Sequence, residues 1–337
     1  LAAPFQRGFF MPAPMCATTR KDSTMLPQQF QKITTEGVRG MILARIDTGS
    51  TNWVNSVAMR MTSMQASEEY AWLGSSPALR EFIGGRTPAE LRELSFIISN
   101  KDFETSLRIQ SKDMRRDKLG MIQVRINQLA DRALDHPAKL LSTLILNGAA
   151  STCYDGQYFF DTDHSEGDSG AQSNDLSRAI VDKDAPTGDE MADSIMECIM
   201  AMYGFKDDRG EPMNQSASEF TVMVPPSYLK AAMLAVKAIL GTGGKSATLP
   251  TLSADFTINV VVNPRLSAWT DKFVLIRTDE AAKPFILQEE DIPDVVALGD
   301  GTEYEQLHKE HLYGIDWTGN VGYGYWQFAC LMTHTTA

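Results

Sequence analysis

Apolar residues recur at three- and four-residue intervals through Leu119, Ile122, Ile126, Leu129, Ala130 and Ala133, with Arg125, Gln128 and Arg132 off that stripe. This spacing predicts an amphipathic helix. Pro137 stands where it can open or kink a continuation carrying Leu140, Leu141, Leu144 and Ile145, and Asn147-Gly148 supplies the stop. Together they make a helical spine of roughly 40 Å at about 1.5 Å per residue. An apolar stripe of that length needs a long surface to cover it, so the spine constrains everything around it.

Phe96-Ile97-Ile98 and then Phe103, Thr105, Leu107 and Ile109, alternating with Glu104, Ser106 and Arg108, read as two strands about a Ser99-Asn100-Lys101-Asp102 turn. After residue 150 the texture is α+β. A polar loop is expected over 165–188, a helix face follows at Met191, Ile195, Ile199 and Met202, then a strand at 220–224 and a helix at 228–240. Further strands are expected at 256–262, 273–277 and 285–288, and a strand-like run of aromatic and small residues closes the chain at 314–330.

Two stretches lack a local core. Residues 1–32 read as an extended arm that becomes ordered on a partner surface, and 33–61 as short helical segments broken at Asp47-Thr48-Gly49-Ser50. Residues 66–95 are rich in turn residues and mix Glu68, Glu69, Arg80, Glu81, Arg86, Glu90, Arg92 and Glu93 around Trp72, the pattern of a long functional loop.

Charge excludes one class of function. Across 337 residues, 31 Lys and Arg stand against 43 Asp and Glu, a net −12, which argues against a duplex-binding role driven by counterion release. No run of about 18 apolar residues exists, so neither a transmembrane helix nor a signal peptide is expected. Cys16, Cys153, Cys198 and Cys330 form no CxxC pair, so the spacing indicates buried free thiols in a reducing compartment, with neither a zinc site nor a disulfide framework.

Motif by motif, catalytic chemistry finds little support. Gly241-Thr242-Gly243-Gly244-Lys245-Ser246 ends like a phosphate loop, but Ile239 occupies the position of its first glycine and a helix precedes it, so it reads as a glycine loop. Asp161 to Asp168 is dense in oxygen ligands, yet Glu166 and Gln172 stand where a calcium loop needs Gly and Glu, leaving a structural polar turn. His308 and His311 have no third ligand at a metal-site spacing. The rival of a different class is a metal-dependent hydrolase centred on Asp161, Asp163 and His164. No catalytic residue, cofactor or metal is assigned.

The sequence resembles the Mu-like prophage major head subunit family of tailed-phage capsid proteins. The likeness is carried by Trp72-Leu73-Gly74 with Pro77-Ala78-Leu79-Arg80-Glu81-Phe82, Asn100-Lys101-Asp102-Phe103-Glu104, Asp117-Lys118-Leu119-Gly120 and Leu146-Asn147-Gly148. Its most specific block is Cys153-Tyr154-Asp155-Gly156-Gln157-Tyr158-Phe159-Phe160-Asp161-Thr162-Asp163-His164, and Tyr323-Gly324-Tyr325-Trp326-Gln327 completes it.

The resemblance implies a Hong Kong 97-like fold. Its divisions would be an N-terminal arm over 1–60, an extended loop with flanking strands over 61–110, and a peripheral domain with the spine over 111–184. An axial domain would follow over 185–290, and closing strands would return to the peripheral domain over 291–337. It also implies a non-enzymatic protein that self-assembles, as hexamers and pentamers, into an icosahedral shell around DNA without sequence-specific binding or membrane contact. Portal, scaffold or protease, and decoration proteins would be its partners. Assembly would take place in the bacterial cytoplasm, and Leu1 would fit a processed terminus. Glu68, Glu69, Trp72, Arg80, Glu81, Arg86, Glu90, Arg92 and Glu93 would then make inter-subunit contacts through charge complementarity. An encapsulin-like nanocompartment is the rival within the same fold.

Overall fold

A computed structural model describes residues 35–48, 52–70, 96–116, 120–240, 257–290 and 293–337. Helices α1 (Thr35–Thr48) and α2 (Asn52–Val57) lead into β1 (Ala58–Thr62), and β2 (Ser67–Tyr70) and β3 (Phe96–Ser99) flank the loop. Next come β4 (Lys101–Gln110), α3 (Ser111–Arg116), and the spine as α4 (Met121–Leu134) and α5 (His136–Leu146). The body continues with β5 (Asp175–Ile180), α6 (Gly188–Gly204), β6 (Glu219–Val224), α7 (Leu229–Leu240), β7 (Thr257–Val262) and β8 (Lys272–Arg277). It ends with β9 (Phe285–Glu289), β10 (Asp294–Leu298), α8 (Glu303–His308), β11 (Glu310–Tyr323) and β12 (Ala329–Thr336).

The spine forms where its stripe predicts. Ile122, Ile126, Leu129 and Ala130 of α4, and Ala138, Leu141 and Ile145 of α5, are buried, and the two helices lie along β4, β11 and α1. Its interruption falls at Asp135, two residues before Pro137, because proline has no N–H for the carbonyl four residues back. The spine ends at Leu146, and at Gly148 in the turn after it any Cβ would collide with the Phe160 ring.

Among the described residues the strands form two five-stranded sheets and a ribbon. In the first sheet β11 is the axis, paired antiparallel to β4, β10 and β9, while β1 runs parallel to β9. The second has the order β5-β12-β8-β6-β7, with α6 and α7 packed against it. Residues 324–328 carry the chain from β11 in one sheet to β12 in the other. A capping box starts α6: Thr187 Oγ1 accepts the Glu190 N–H, and the Glu190 carboxylate accepts from the Thr187 and Val181 N–H groups. Those backbone donors hold Glu190 down at about 2.

Three expectations are corrected. The helical reading to Met61 stops at Val57, because Ala58 to Thr62 pair with Phe285 to Glu289 and Arg60 meets Glu289 at 3.0 Å. The polar stretch at 165–188 contains β5, whose Asp-Leu-Ser-Arg-Ala-Ile sequence is polar because it is the sheet's edge. The strands at 96–98 and 103–109 both form but pair elsewhere, β3 with β2 and β4 with β11. Among the described residues no helix is long and apolar enough to cross a membrane. The glycine loop at 241–246 and the arm at 1–32 lie outside the described residues.

Candidate functional site

The extended loop leaves the first sheet through a ribbon in which Glu68 faces Ile98 and Glu69 faces Ile97. A polar staple holds its root. The Asn100 side-chain amide donates to Ser63 Oγ at 2.9 Å, the Gln65 carbonyl at 2.8 Å and Glu290 Oε2 at 2.9 Å. The Gln288 amide donates to the Asn100 side chain and the Ile98 carbonyl and accepts from Tyr70 Oη at 2.8 Å, while Asn320 donates to the Ser99 carbonyl. Burial and then Glu68 push the Tyr70 hydroxyl up to about 12. The ribbon crosses close over β11, since a Cβ at Gly322 would strike Ile98 and Phe96.

Of the residues expected to make inter-subunit contacts, Glu68 is half-buried and accepts from Ser63 Oγ and the Met64 N–H, both at 3.1 Å, whereas Glu69 is exposed. Trp72, Arg80, Glu81, Arg86, Glu90, Arg92 and Glu93 lie outside the described residues. Sequence reasoning did not single out two exposed apolar side chains at the root, Ile97 at 60% exposure and Met64 at 89%. The alternation of Ile97 with buried Ile98 was the available signal.

The Cys153 to His164 block folds inward as a buried polar centre. His164, wholly buried, stacks on Trp326 with centroids 4.0 Å apart at 7°. Its Nδ1 meets Asp155 Oδ2 at 2.6 Å, while Asp155 Oδ1 accepts from Cys153 Sγ at 2.9 Å and the Gln157 N–H at 3.0 Å. Burial works to raise the Asp155 carboxyl, but the hydrogen bonds from His164 and Cys153 outweigh it and hold the group below the usual range. Beside this, Glu166 Oε1 accepts from Tyr154 Oη at 2.6 Å, Trp326 Nε1 at 3.1 Å and Gln327 at 3.3 Å, and burial pushes its carboxyl up.

This geometry overturns the hydrolase reading. Asp161 caps its own turn, accepting from Thr162 and Tyr158 N–H groups; Asp163 is exposed; His164 turns away to Asp155. Among the described residues the ligand-type cluster is Cys153, Asp155 and His164, a grouping the cysteine spacing did not reveal. His308 and His311 do not share a helix face either. His308 ends α8, while His311 lies buried on β11 against Glu305 Oε1 at 3.0 Å.

A spine along one sheet, a second sheet with two helices, and a two-stranded ribbon rooted on the first sheet make up the fold seen in tailed-phage capsids. The procapsid subunit of bacteriophage JBD30 matches it with a TM-score of 0.52 at 22% identity, over 89% of this chain and 73% of that one. The chain belongs to the Mu-like prophage major head subunit gpT family, whose profile matches residues 44–187 and 250–336. It is 27% identical over 274 residues to the Mu-like prophage FluMu major head subunit of Haemophilus influenzae, covering 81% of this chain and 63% of that protein. It is also 36% identical over 110 residues to the major capsid protein of Escherichia phage Mu, covering 33% of this chain and 36% of that protein. The chain thus spans less than two thirds of either relative's length. This family sets it with phage head subunits and apart from an encapsulin-like shell or a hydrolase.

Proposed function

We propose that this chain works by self-assembly, as the major head subunit of a Mu-like phage or prophage, building the icosahedral shell that encloses double-stranded DNA. The observation that carries the reading is the family match on both sides of 188–249, joined to a fold whose spine, sheets and loop root are those of a shell subunit. Hexamers and pentamers of the chain are the proposed units, with portal, scaffold or protease, and decoration proteins as partners and the host cytoplasm as the place of assembly. A net −12 suits a lining that surrounds DNA without gripping it.

The proposed division runs by segments along the chain, and the sheets cross it: β9, within 185–290, lies in the first sheet and β5, within 111–184, in the second. The arm is 1–60, the extended loop and its strands 61–110, the peripheral domain with the spine 111–184, and the axial domain 185–290. The proposed closing segment, 291–337, carries the strands that return to the peripheral domain, with β11 in the first sheet and β12 in the second. Neighbouring subunits meet through Glu68, Glu69, Trp72, Arg80, Glu81, Arg86, Glu90, Arg92 and Glu93, with Ile97 and Met64 beside the root.

Reversing Arg80, Glu81, Arg86, Glu90 and Arg92 together is expected to abolish closed particles in sedimentation and negative-stain images while circular dichroism stays native. Normal particle yield from that variant sinks the loop contacts, and purified wild-type chain that never forms shells sinks the function.

A further inference from the structure

The most specific block of the family likeness also turns three ligand-type side chains into the interior of the subunit. Cys153, Asp155 and His164 each turn one ligand atom inward, and those atoms lie within 4.8 Å of one another. Cys153 is 5% exposed, and the side chains of Asp155 and His164 are 2% and 0% exposed. The backbone fixes them. The Cys153 N–H donates to the Gln157 carbonyl at 2.8 Å, Gly156 N–H to the Cys153 carbonyl at 3.2 Å, and Gln172 N–H to the His164 carbonyl at 2.8 Å.

Charge supplies a second, independent observation. Asp155 and Glu166 are two acidic side chains buried side by side, and among the described residues no Lys or Arg forms an ion pair with either. Buried carboxylates are ordinarily matched by a cation or a metal. Here Asp155 meets one imidazole at Oδ2, and one thiol and the Gln157 N–H at Oδ1, with no Lys or Arg among its partners in the described residues.

We propose that Cys153, Asp155 and His164 form a structural site for a zinc-class divalent ion. Thiolate, imidazole and a single carboxylate select zinc or cobalt over calcium and magnesium, which require more oxygen ligands. The oxygen-rich turn at Asp161 and Asp163 is therefore not the site. Three side chains leave one position of a tetrahedral set, for water or for the Tyr158 carbonyl, which stands 4.0 Å from Cys153 Sγ. Binding releases the thiol proton, so affinity rises with pH. Around the ligands, Trp326 stacks on His164, and Glu166 ties Tyr154, Trp326 and Gln327 together. A metal here clamps the turn after the spine to 324–328, where the chain passes between the two sheets.

The test does not require shell building and is read on the purified 337-residue chain, stripped with a chelator and titrated with Co²⁺, then Zn²⁺. One Co²⁺ per chain is expected, with a near-ultraviolet thiolate-to-cobalt band, intense tetrahedral visible bands, displacement by Zn²⁺ and a rise in melting temperature. Cys153→Ser is expected to lose the band, and a chain carrying Asp161→Asn with Asp163→Asn to keep it. Absence of the band and of the melting shift in the wild-type chain overturns the proposal, as does a band that survives Cys153→Ser. Should Cys153→Ser not fold, X-ray absorption on the zinc-loaded wild-type chain decides: one sulfur in the metal's shell supports the site, and a shell of oxygen and nitrogen alone overturns it.

Discussion

The two five-stranded sheets are built to different standards of closure. In the second, every residue of β6 and β8 except the first is buried, and α6 and α7 cover it with Met191, Ile195, Ile199 and Met202 turned inward. In the first, β4 alternates exposed and half-buried positions from Asp102 to Arg108, buries Ile109 alone, and among the described residues pairs with β11 alone. Both sheets end in partly exposed edge strands, β5 and β7 in the second and β4 in the first, but only the first also carries the loop root. Substitutions in the first are expected to appear in assembly, and in the second in the stability of the subunit.

The largest effect belongs to the closed sheet. Phe220, on β6, is 0% exposed, so Phe220→Ala is expected to cost about 3–5 kcal/mol in denaturant unfolding of the subunit. Phe103 on β4 is only half-buried, with its ring 4.3 Å from that of His136 and 5.6 Å from that of Trp317, and Phe103→Ala should cost clearly less. Equal losses at the two positions would erase the contrast between the sheets.

A smaller loss is expected at the loop root. Asn100→Ala removes the amide whose two N–H groups are shared among Ser63, Gln65 and Glu290, and leaves Gln288, which is buried, without one of its acceptors. The expected cost is about 1–3 kcal/mol, the usual penalty for stranding a buried polar group. On the proposed loop contacts, particle yield should fall further than the melting temperature suggests. A variant that melts lower yet assembles at the wild-type rate would mean that the root does not position the loop.

What was legible in the sequence follows the same line. The spine, α6, β6, β7, β8 and β9 could be read because their apolar residues repeat at a period of 3.6 or run unbroken. Elements whose partners are distant in sequence were harder to read. β1 consists of Ala-Met-Arg-Met-Thr and becomes a strand only by lying beside β9, more than 220 residues on. β5 is polar because it is an edge. The buried centre was half legible: the Cys153 to His164 block stood out as a motif, but its oxygen-rich end drew attention to Asp161 and Asp163. The side chains that turn inward are Cys153, Asp155 and His164, and direction is a property of the folded turn that spacing does not encode.

A third measurement tests the closed sheet through pH. His334 on β12 is wholly buried between Ser194 Oγ at 2.9 Å and Tyr228 Oη at 3.1 Å, and burial pushes its pKa below the ordinary histidine value. Such a group binds its proton more readily in the unfolded chain, whose histidine titrates near pH 6.5. Its contribution is therefore whole above that value, falls as pH drops towards the lowered folded pKa, and is level below it. His334→Gln should flatten that limb of the stability curve. An unchanged acid limb would place the sensitivity elsewhere, with His136 the next group to test, since burial lowers it in the same direction.

The smallest expected change in the subunit is the one that most sharpens the contrast. Ile97 stands 60% exposed on β3 with buried Ile98 beside it, so the ribbon already has its inward anchor and Ile97 adds little to the fold. Ile97→Ser should leave unfolding within about 0.5 kcal/mol of wild type, the range for surface positions. A side chain that contributes so little to its own subunit still removes apolar area from water if a neighbour covers it, at about 25 cal/mol per Å². That gain recurs at every copy in a shell, so a minor change per contact becomes a visible shift in the concentration at which particles form. Light scattering against subunit concentration measures it. A raised threshold with unchanged melting places Ile97 in a contact, and an unchanged threshold leaves the outer face of the ribbon exposed to solvent in the assembled particle.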